Sequence, residues 1–284
     1  MHDHEDGQAD LLDLDAEVFG SHLDDVTEWA AQHAARPIHR TADMGAGTGT
    51  GTLALARRFP DADVVAIDSS APMLERLQAM TRAEGLADRV RVVQADLDVA
   101  WPEVTALDLA WAALSLHHVA DPDRVLRDVL TALKPGGLLV VLEMDDLPRF
   151  LAEDVGQGRP GLEERCHAAM ARAGWNSHPD WRPHLERAGF EIAGQRTFEI
   201  EADPASPSIE RYARGLLSNI RSGLDDQLST DDLDTLDHLL VDDDPHAVLR
   251  RQLTMRSSRT AWVAQRPDEQ PTEPAVHEDR LDER

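Results

Sequence analysis

The sequence predicts an α/β protein built on a doubly wound, mostly parallel sheet. Three observations predict it. Short apolar strand patterns alternate with helical ones, a glycine cluster follows the first strand, and acidic residues close three successive strands. Near-continuous apolar strands are buried on both faces, as in parallel sheets covered by helices.

The elements follow in order. Residues 17–35 carry Phe19, Leu23, Val26 and Ala30 at helical spacing. Ile38–Met44 reads as the first strand, and Thr50–Arg58 as the helix that leaves the glycine cluster. Val64–Ile67 is the second strand, 71–84 a helix, and Val90–Gln94 the third strand. Leu107–Leu114 is an apolar fourth strand. Pro122–Leu133 is a helix halted by Lys134-Pro135-Gly136-Gly137, and Leu138–Leu142 is the fifth strand. Beyond Asp145 the pattern changes. Helices are expected over Leu162–Ala173 and His184–Ala188, then a long strand over Phe190–Ile200. Two acidic helices near Ile209–Ile220 and Leu228–Val241 precede a last short strand at Thr260–Ala264. They interrupt what is otherwise a terminal β-hairpin, so residues 204–245 read as an inserted helical cap.

At 284 residues with 42% apolar content, the chain can form one large domain, expected over residues 16–265 with a core at 36–146. Residues 1–15 and 266–284 are acidic or polar and are expected to be disordered tails. No apolar run reaches the ~18 residues of a membrane span. Met1–Asp10 lacks the zones of a signal peptide. A soluble cytoplasmic protein is therefore expected, and the single cysteine, Cys166, agrees with a reducing compartment. The net charge of -26 repels phosphate backbones and argues against a nucleic-acid partner. It also describes an ordinary solvated acidic surface.

The sharpest local signal is Ala42-Asp43-Met44-Gly45-Ala46-Gly47-Thr48-Gly49, at the end of the first strand. Glycines there allow a tight turn and bring backbone N–H groups to a ligand at a helix N-terminus. The stretch Gly49-Thr50-Gly51-Thr52-Leu53-Ala54 satisfies the alanine form of the dinucleotide motif, so a nicotinamide oxidoreductase stays open here. Asp68 ends the second strand nineteen residues past Gly49, where a carboxylate can accept from both hydroxyls of a ribose. Asp96 follows the third strand, placed to accept an amino group, with Leu97 offering a backbone N–H. An edge lined by Asp43, Asp68 and Asp96 suits a ligand with hydroxyls and a positive charge better than a pyrophosphate.

These residues carry a resemblance. The runs Asp43–Gly49, Ala66-Ile67-Asp68-Ser69-Ser70-Ala71-Pro72-Met73-Leu74, Gln94-Ala95-Asp96, Leu114-Ser115-Leu116-His117-His118-Val119 and Leu133–Gly137 resemble the class I methyltransferases of the ubiquinone-biosynthesis-like group, which use S-adenosylmethionine (SAM). Five motifs in order span about Ile38 to Met144. The resemblance implies a Rossmann-like, seven-stranded sheet whose last strand is antiparallel. It implies that Asp43, Gly45, Ala46, Gly47 and Gly49 hold the methionine part of SAM. It further implies that Asp68 and Ser69 meet the ribose, that Met73 packs on adenine beside Asp96 and Leu97, and that Ala112 joins the cofactor site. The activity implied is methyl transfer to an oxygen, nitrogen or carbon atom of a small molecule.

His117 and His118 follow the fourth strand, where a histidine can take a proton from the acceptor. A structural histidine pair is the plain alternative. The cap helices carry apolar faces, Leu216, Leu217 and Ile220 in one and Leu233, Leu236 and Leu240 in the other. They are expected to cover the acceptor site; packing elsewhere, with a homodimer contact, is the alternative. Trp175, His178, Trp181 and Tyr212 are candidates for an aromatic pocket wall or for ordinary core. No metal site is expected: His2 and His4 lie in an acidic end, and Asp231-Asp232-Leu233-Asp234 lacks calcium-loop spacing and reads as a solvated helix start. A SAM-binding protein without transferase activity remains a third reading.

Overall fold

A computed structural model describes residues 2–174, 180–202, 207–241 and 253–268. Helix α1 spans His2–Ala31 and strand β1 Arg40–Met44. Then come α2 (Thr50–Arg58), β2 (Asp63–Asp68), α3 (Ala71–Ala83), β3 (Val90–Gln94) and β4 (Leu107–Ala113). A 3₁₀ turn at Leu116–His118 leads to α4 (Pro122–Ala132), β5 (Leu133–Met144), α5 (Leu162–Arg172) and α6 (Arg182–Ala188). The chain continues through β6 (Glu191–Ala202), α7 (Pro207–Gly223), α8 (Thr230–Leu240) and β7 (Met255–Gln265).

The seven strands form one sheet in the order β3-β2-β1-β4-β5-β7-β6. Strands β1 to β5 run parallel; β7 lies antiparallel to both β5 and β6. The chain order reverses between β1 and β4, and open α/β sheets bind ligands above such a point. Helices cover both faces because the strands are apolar on both. In β4, Ala110 and Ala112 join the core that includes Val125, Leu126 and Val129 of α4, while Leu109 and Trp111 join the opposite core with Val26 of α1 and Leu55 of α2. Each fully buried Leu or Val there contributes roughly 1.5–3 kcal/mol. Sequence pattern, strand alternation and two-sided burial agree.

A third apolar cluster ties α1 to α5, α7 and α8 through Phe19, Met170, Leu217 and Leu236, and reaches the ends of β6 and β7 at Ile200 and Met255. Phe150 and Phe19 meet the Tyr212 ring edge-on at 5.5 and 6.0 Å. The terminal hairpin is present as expected, and α7 and α8 fall between its strands.

The N-terminal expectation needs correction. The first fifteen residues are not a tail beside a helix starting at 17; α1 begins at His2. Leu11 and Leu14 pack on the third cluster. Asp13 pairs with Arg76 of α3 at 3.2 Å, Asp15 with Arg259 of β7 at 2.8 Å, and Glu17 with Arg211 of α7 at 2.6 Å. Each acidic residue has an arginine partner distant in sequence, which composition does not display. Asp232 departs from expectation for the same reason. It is buried at the start of α8, held by Arg165 (2.6 Å) and Arg159 (3.2 Å), rather than solvated. Residues 269–284, most of the expected C-terminal tail, lie outside the described residues.

Candidate functional site

A cleft of about 410 Å³ opens at the carboxyl edge of β1, β2 and β4. The glycine loop after β1 forms its floor. Ala46 N donates to the Ile67 carbonyl and Gly47 N to Asp68 Oδ2 at 2.9 Å, so the loop is fastened to the end of β2. Gly45 has φ +66, and a Cβ there would stand 2.5 Å from Ser115 Cβ. Only glycine accommodates both the left-handed turn and that approach. Ser115 Oγ in turn donates to the Met44 carbonyl at 2.8 Å. Leu114, at φ +54, makes the turn that carries the chain out of β4 toward this contact. Non-glycine residues seldom adopt that conformation, and it sits here on the cleft wall.

Asp43, Asp68 and Asp96 all line the cleft. Asp43 is buried, accepts from Thr52 Oγ1 at 2.6 Å, and is pushed up to about 7 chiefly by desolvation, with Asp68 adding to the rise. Gly51 packs so closely that a Cβ would lie 3.0 Å from Asp43 Oδ2. Asp68 spends one oxygen on Gly47 N and the other on Ser70 N (2.8 Å). Each carboxylate oxygen has a second acceptor position, so two remain for a ligand. Ser70 caps α3 by accepting from Met73 N, which leaves Asp68 for the cleft. Asp96 uses Oδ1 for the Asp98 N–H at 2.9 Å.

Gly45, Ala46, Gly47, Ser69, Met73 and Leu97 also line the cleft. Three expected residues do not. Gly49 abuts Leu77 of α3, and Ala112 is buried in the sheet core; the wall at this point is the next residue, Ala113. Strand alternation and the strand's end explain that shift: the cleft touches β4 only where it stops. His117 turns aside, its Nδ1 donating to Glu143 Oε2 at 2.7 Å, and Glu143 is buried. His118 faces the cleft, its ring 4.0 Å from that of His117. Its imidazole is held below its ordinary range by burial, then by the neighbouring His117, against the opposing pull of Glu143.

The upper wall was not anticipated. Asp15 and Leu23 of α1 and Arg259 of β7 line the cleft, and no α7 or α8 residue does among the described residues. Among the described residues the helical insertion reaches the cleft through α1: Tyr212 OH donates to Asp15 at 3.0 Å. Trp181 is core, Tyr212 is buried between Phe19 and Phe150, and Trp175 and His178 lie outside the described residues. No cluster of three or more metal-ligating side chains occurs among the described residues; the side chains of His2 and His4 lie outside them. No helix among those residues is long and apolar enough to cross a membrane.

Residues 42–137 match a sequence profile described as a methyltransferase domain. That stretch is a methyltransferase domain. Methyltransferase GfsG of Streptomyces halstedii is 30% identical over 172 residues, covering 60% of this chain and 59% of that protein. The trans-aconitate 2-methyltransferase of Azoarcus sp. (strain BH72) is 37% identical over 180 residues, 61% of this chain and 66% of that one. The chain thus spans about three fifths to two thirds of these curated relatives. A crystal structure from Bacillus halodurans C-125 shares the fold at a TM-score of 0.55 and 18% identity, over 85% of this chain and 98% of its own. The methyltransferase domain also answers the dinucleotide alternative topologically. The usual dinucleotide sheet runs 3-2-1-4-5-6 in parallel, whereas here an antiparallel β7 enters between β5 and β6.

The cleft residues fit SAM. Asp43, a buried carboxylate with no cationic partner among the described residues, suits a positively charged ligand. Asp68 has acceptor positions left for a diol, and Met73 and Leu97 supply apolar contact near Asp96.

Proposed function

We propose that the protein is a SAM-dependent methyltransferase acting on a small molecule through an oxygen, nitrogen or carbon nucleophile. The observation that carries this reading is the meeting of Asp43, Asp68 and Asp96 with the glycine loop in a single cleft at the sheet's reversal point. When bound, SAM supplies a methyl group activated on a sulfonium. Asp43 and the N–H groups of the Gly45–Gly47 turn would hold its methionine end, Asp68 and Ser69 its ribose, and Met73, Asp96 and Leu97 its adenine.

The chain's own contribution is placement and proton handling. The Ser115–Met44 hydrogen bond and the left-handed Leu114 fix the β4 wall against the glycine loop. A fixed wall aligns an acceptor with the methyl group, and alignment accounts for much of the rate in such transfers. His118, neutral near pH 7, accepts the acceptor's proton at a ring nitrogen. His117 is a positioning residue: pinned by Glu143, it supports the His118 ring from behind.

Titrating the protein with SAM, S-adenosylhomocysteine, NADH and NADPH while recording melting temperature tests the cofactor assignment. SAM and S-adenosylhomocysteine at 100 times their dissociation constants should each stabilise by about 2.7 kcal/mol. A shift with NADH and none with S-adenosylhomocysteine overturns it. Incubation with methyl-labelled SAM and a small-molecule extract of the source organism tests the transfer itself; a label that never leaves SAM would leave a binding protein.

A further inference from the structure

Arg259 is the one arginine or lysine among the described residues that line the cleft. It is 2% exposed, rests 4.1 Å over the Phe19 ring, and gives one Nη2 hydrogen bond to Asp15 Oδ1. Its Nε has no hydrogen-bond partner among the described residues. A desolvated guanidinium with a donor left open is costly, because every buried N–H that loses water needs a replacement acceptor. Tyr212 OH converges on the same Asp15 oxygen. Two donors from α7 and β7 thus meet at one carboxylate oxygen on the cleft wall.

We propose that Arg259 anchors the methyl acceptor, that the acceptor presents a carboxylate to it, and that Asp15 occupies this place until the acceptor enters. The inference rests on the methyltransferase reading and narrows its acceptor to organic acids. A carboxylate offers the planar pair of oxygens that matches two guanidinium N–H groups, so it satisfies Nε as well as Nη2, which Asp15 does not. The exchange is inexpensive on the protein's side. Asp15 sits on α1 with its side chain 18% exposed and can turn to water, whereas Arg259 cannot. An amine acceptor is disfavoured by the same geometry. It would draw Asp15 away from Arg259 and leave a buried cation uncompensated. The remaining charged walls of the cleft, Asp43, Asp68, Asp96 and Asp98, would repel an organic acid. Arg259 is therefore the place where one can bind.

The test uses the full chain saturated with S-adenosylhomocysteine. Melting temperature and calorimetry are read against benzoate, phenylacetate, succinate and glutarate, each beside its neutral amide. The acids, and not the amides, should stabilise the wild type. Asp15→Asn, which keeps an acceptor on Arg259 but removes the competing charge, should tighten the best acid by about tenfold, the weight of one charge-assisted hydrogen bond. Arg259→Gln should lose acid binding while keeping its S-adenosylhomocysteine response. Acids that stabilise neither wild type nor Asp15→Asn overturn the proposal. So do amides that bind equally, or acid binding that survives in Arg259→Gln. Should Arg259→Gln fail to fold, Asp15→Asn decides alone. Absence of the S-adenosylhomocysteine response in wild type would instead remove the reading beneath it.

Discussion

Asp43 and Asp15 face the same cleft under opposite electrostatic conditions. Asp43 is buried, hydrogen-bonded by the Thr52 hydroxyl and backbone, and is pushed up to about 7 chiefly by desolvation. Asp15 is part-exposed and holds both an arginine and a tyrosine. One half of the cleft, built from residues 43–119, is a set of carboxylates without a cation. The other half, built from α1 and β7, has its charges already matched. The first is prepared for a positively charged ligand, and the second must exchange a partner before it can bind anything.

The largest effect is expected at His118. Its replacement by Ala should lower labelled-methyl transfer by ~10²–10⁴-fold, the usual weight of a general base, with S-adenosylhomocysteine affinity retained. His117→Ala should cost less, since that ring acts through its neighbour. Equal losses in the two variants would dissolve the distinction between them.

Next is Asp68. It serves the ligand and also fastens Gly47 and Ser70, so Asp68→Ala should weaken SAM by about 3 kcal/mol or more, roughly a hundredfold. Asp96→Ala should cost about one tenth of that factor, because Asp96 braces only the Asp98 N–H. Calorimetry giving equal losses would mean the loop does not depend on Asp68.

Asp43 should give a smaller effect with a telling sign. A cationic ligand favours the ionised carboxylate and lowers its pKa, so SAM affinity should rise about tenfold as pH climbs through about 7. The unliganded protein should respond in the opposite sense. The folded-state pKa lies above the unfolded value of 3.8, so the native state binds the extra proton and stability falls from about pH 4 to 7. Asp43→Asn should therefore remove the pH dependence, weaken SAM, and melt higher than wild type at pH 8. Melting curves that coincide at pH 8 would show that Asp43 is ionised at no cost.

The smallest effect belongs to Tyr212→Phe, which removes one hydrogen bond to Asp15 and should lower stability by about 1 kcal/mol. Cofactor affinity should not change. A large loss of SAM binding would erase the boundary between the two halves.

The halves also differ in how far they could be read from the chain. Asp43 and Asp68 sit at the carboxyl ends of β1 and β2 and Asp96 lies just past β3, and parallel strands bring their ends to one edge whatever the loops do. Position along the strands therefore placed all three on one cleft. At β4 only the strand's end, Ala113, meets the cleft while Ala112 is buried, and no local pattern says which of His117 and His118 turns inward. That choice depends on Glu143, a residue 26 positions from His117. Asp15 and Arg259 are 244 positions apart. Neither carries a motif, and their meeting depends on α1 crossing the cleft, which no local pattern encodes. Arg259 stands just before the run Thr260–Ala264, in a polar stretch with Arg256, Ser257 and Ser258, so nothing local marked it as buried. The insertion of α7 and α8 was legible as an interruption, but its destination against α1 was not.

The placement of β7 has a consequence for the life of the chain. Residues 255–265 are made after β5 and β6 yet lie between them. Until they emerge from the ribosome, both older strands present open backbone edges to other nascent chains. A message cut short before Met255 would yield a product whose motifs are all present but whose sheet ends at β5, beside a stranded β6. Such a product should be recognised by quality control or lost to aggregation, however intact its cofactor half.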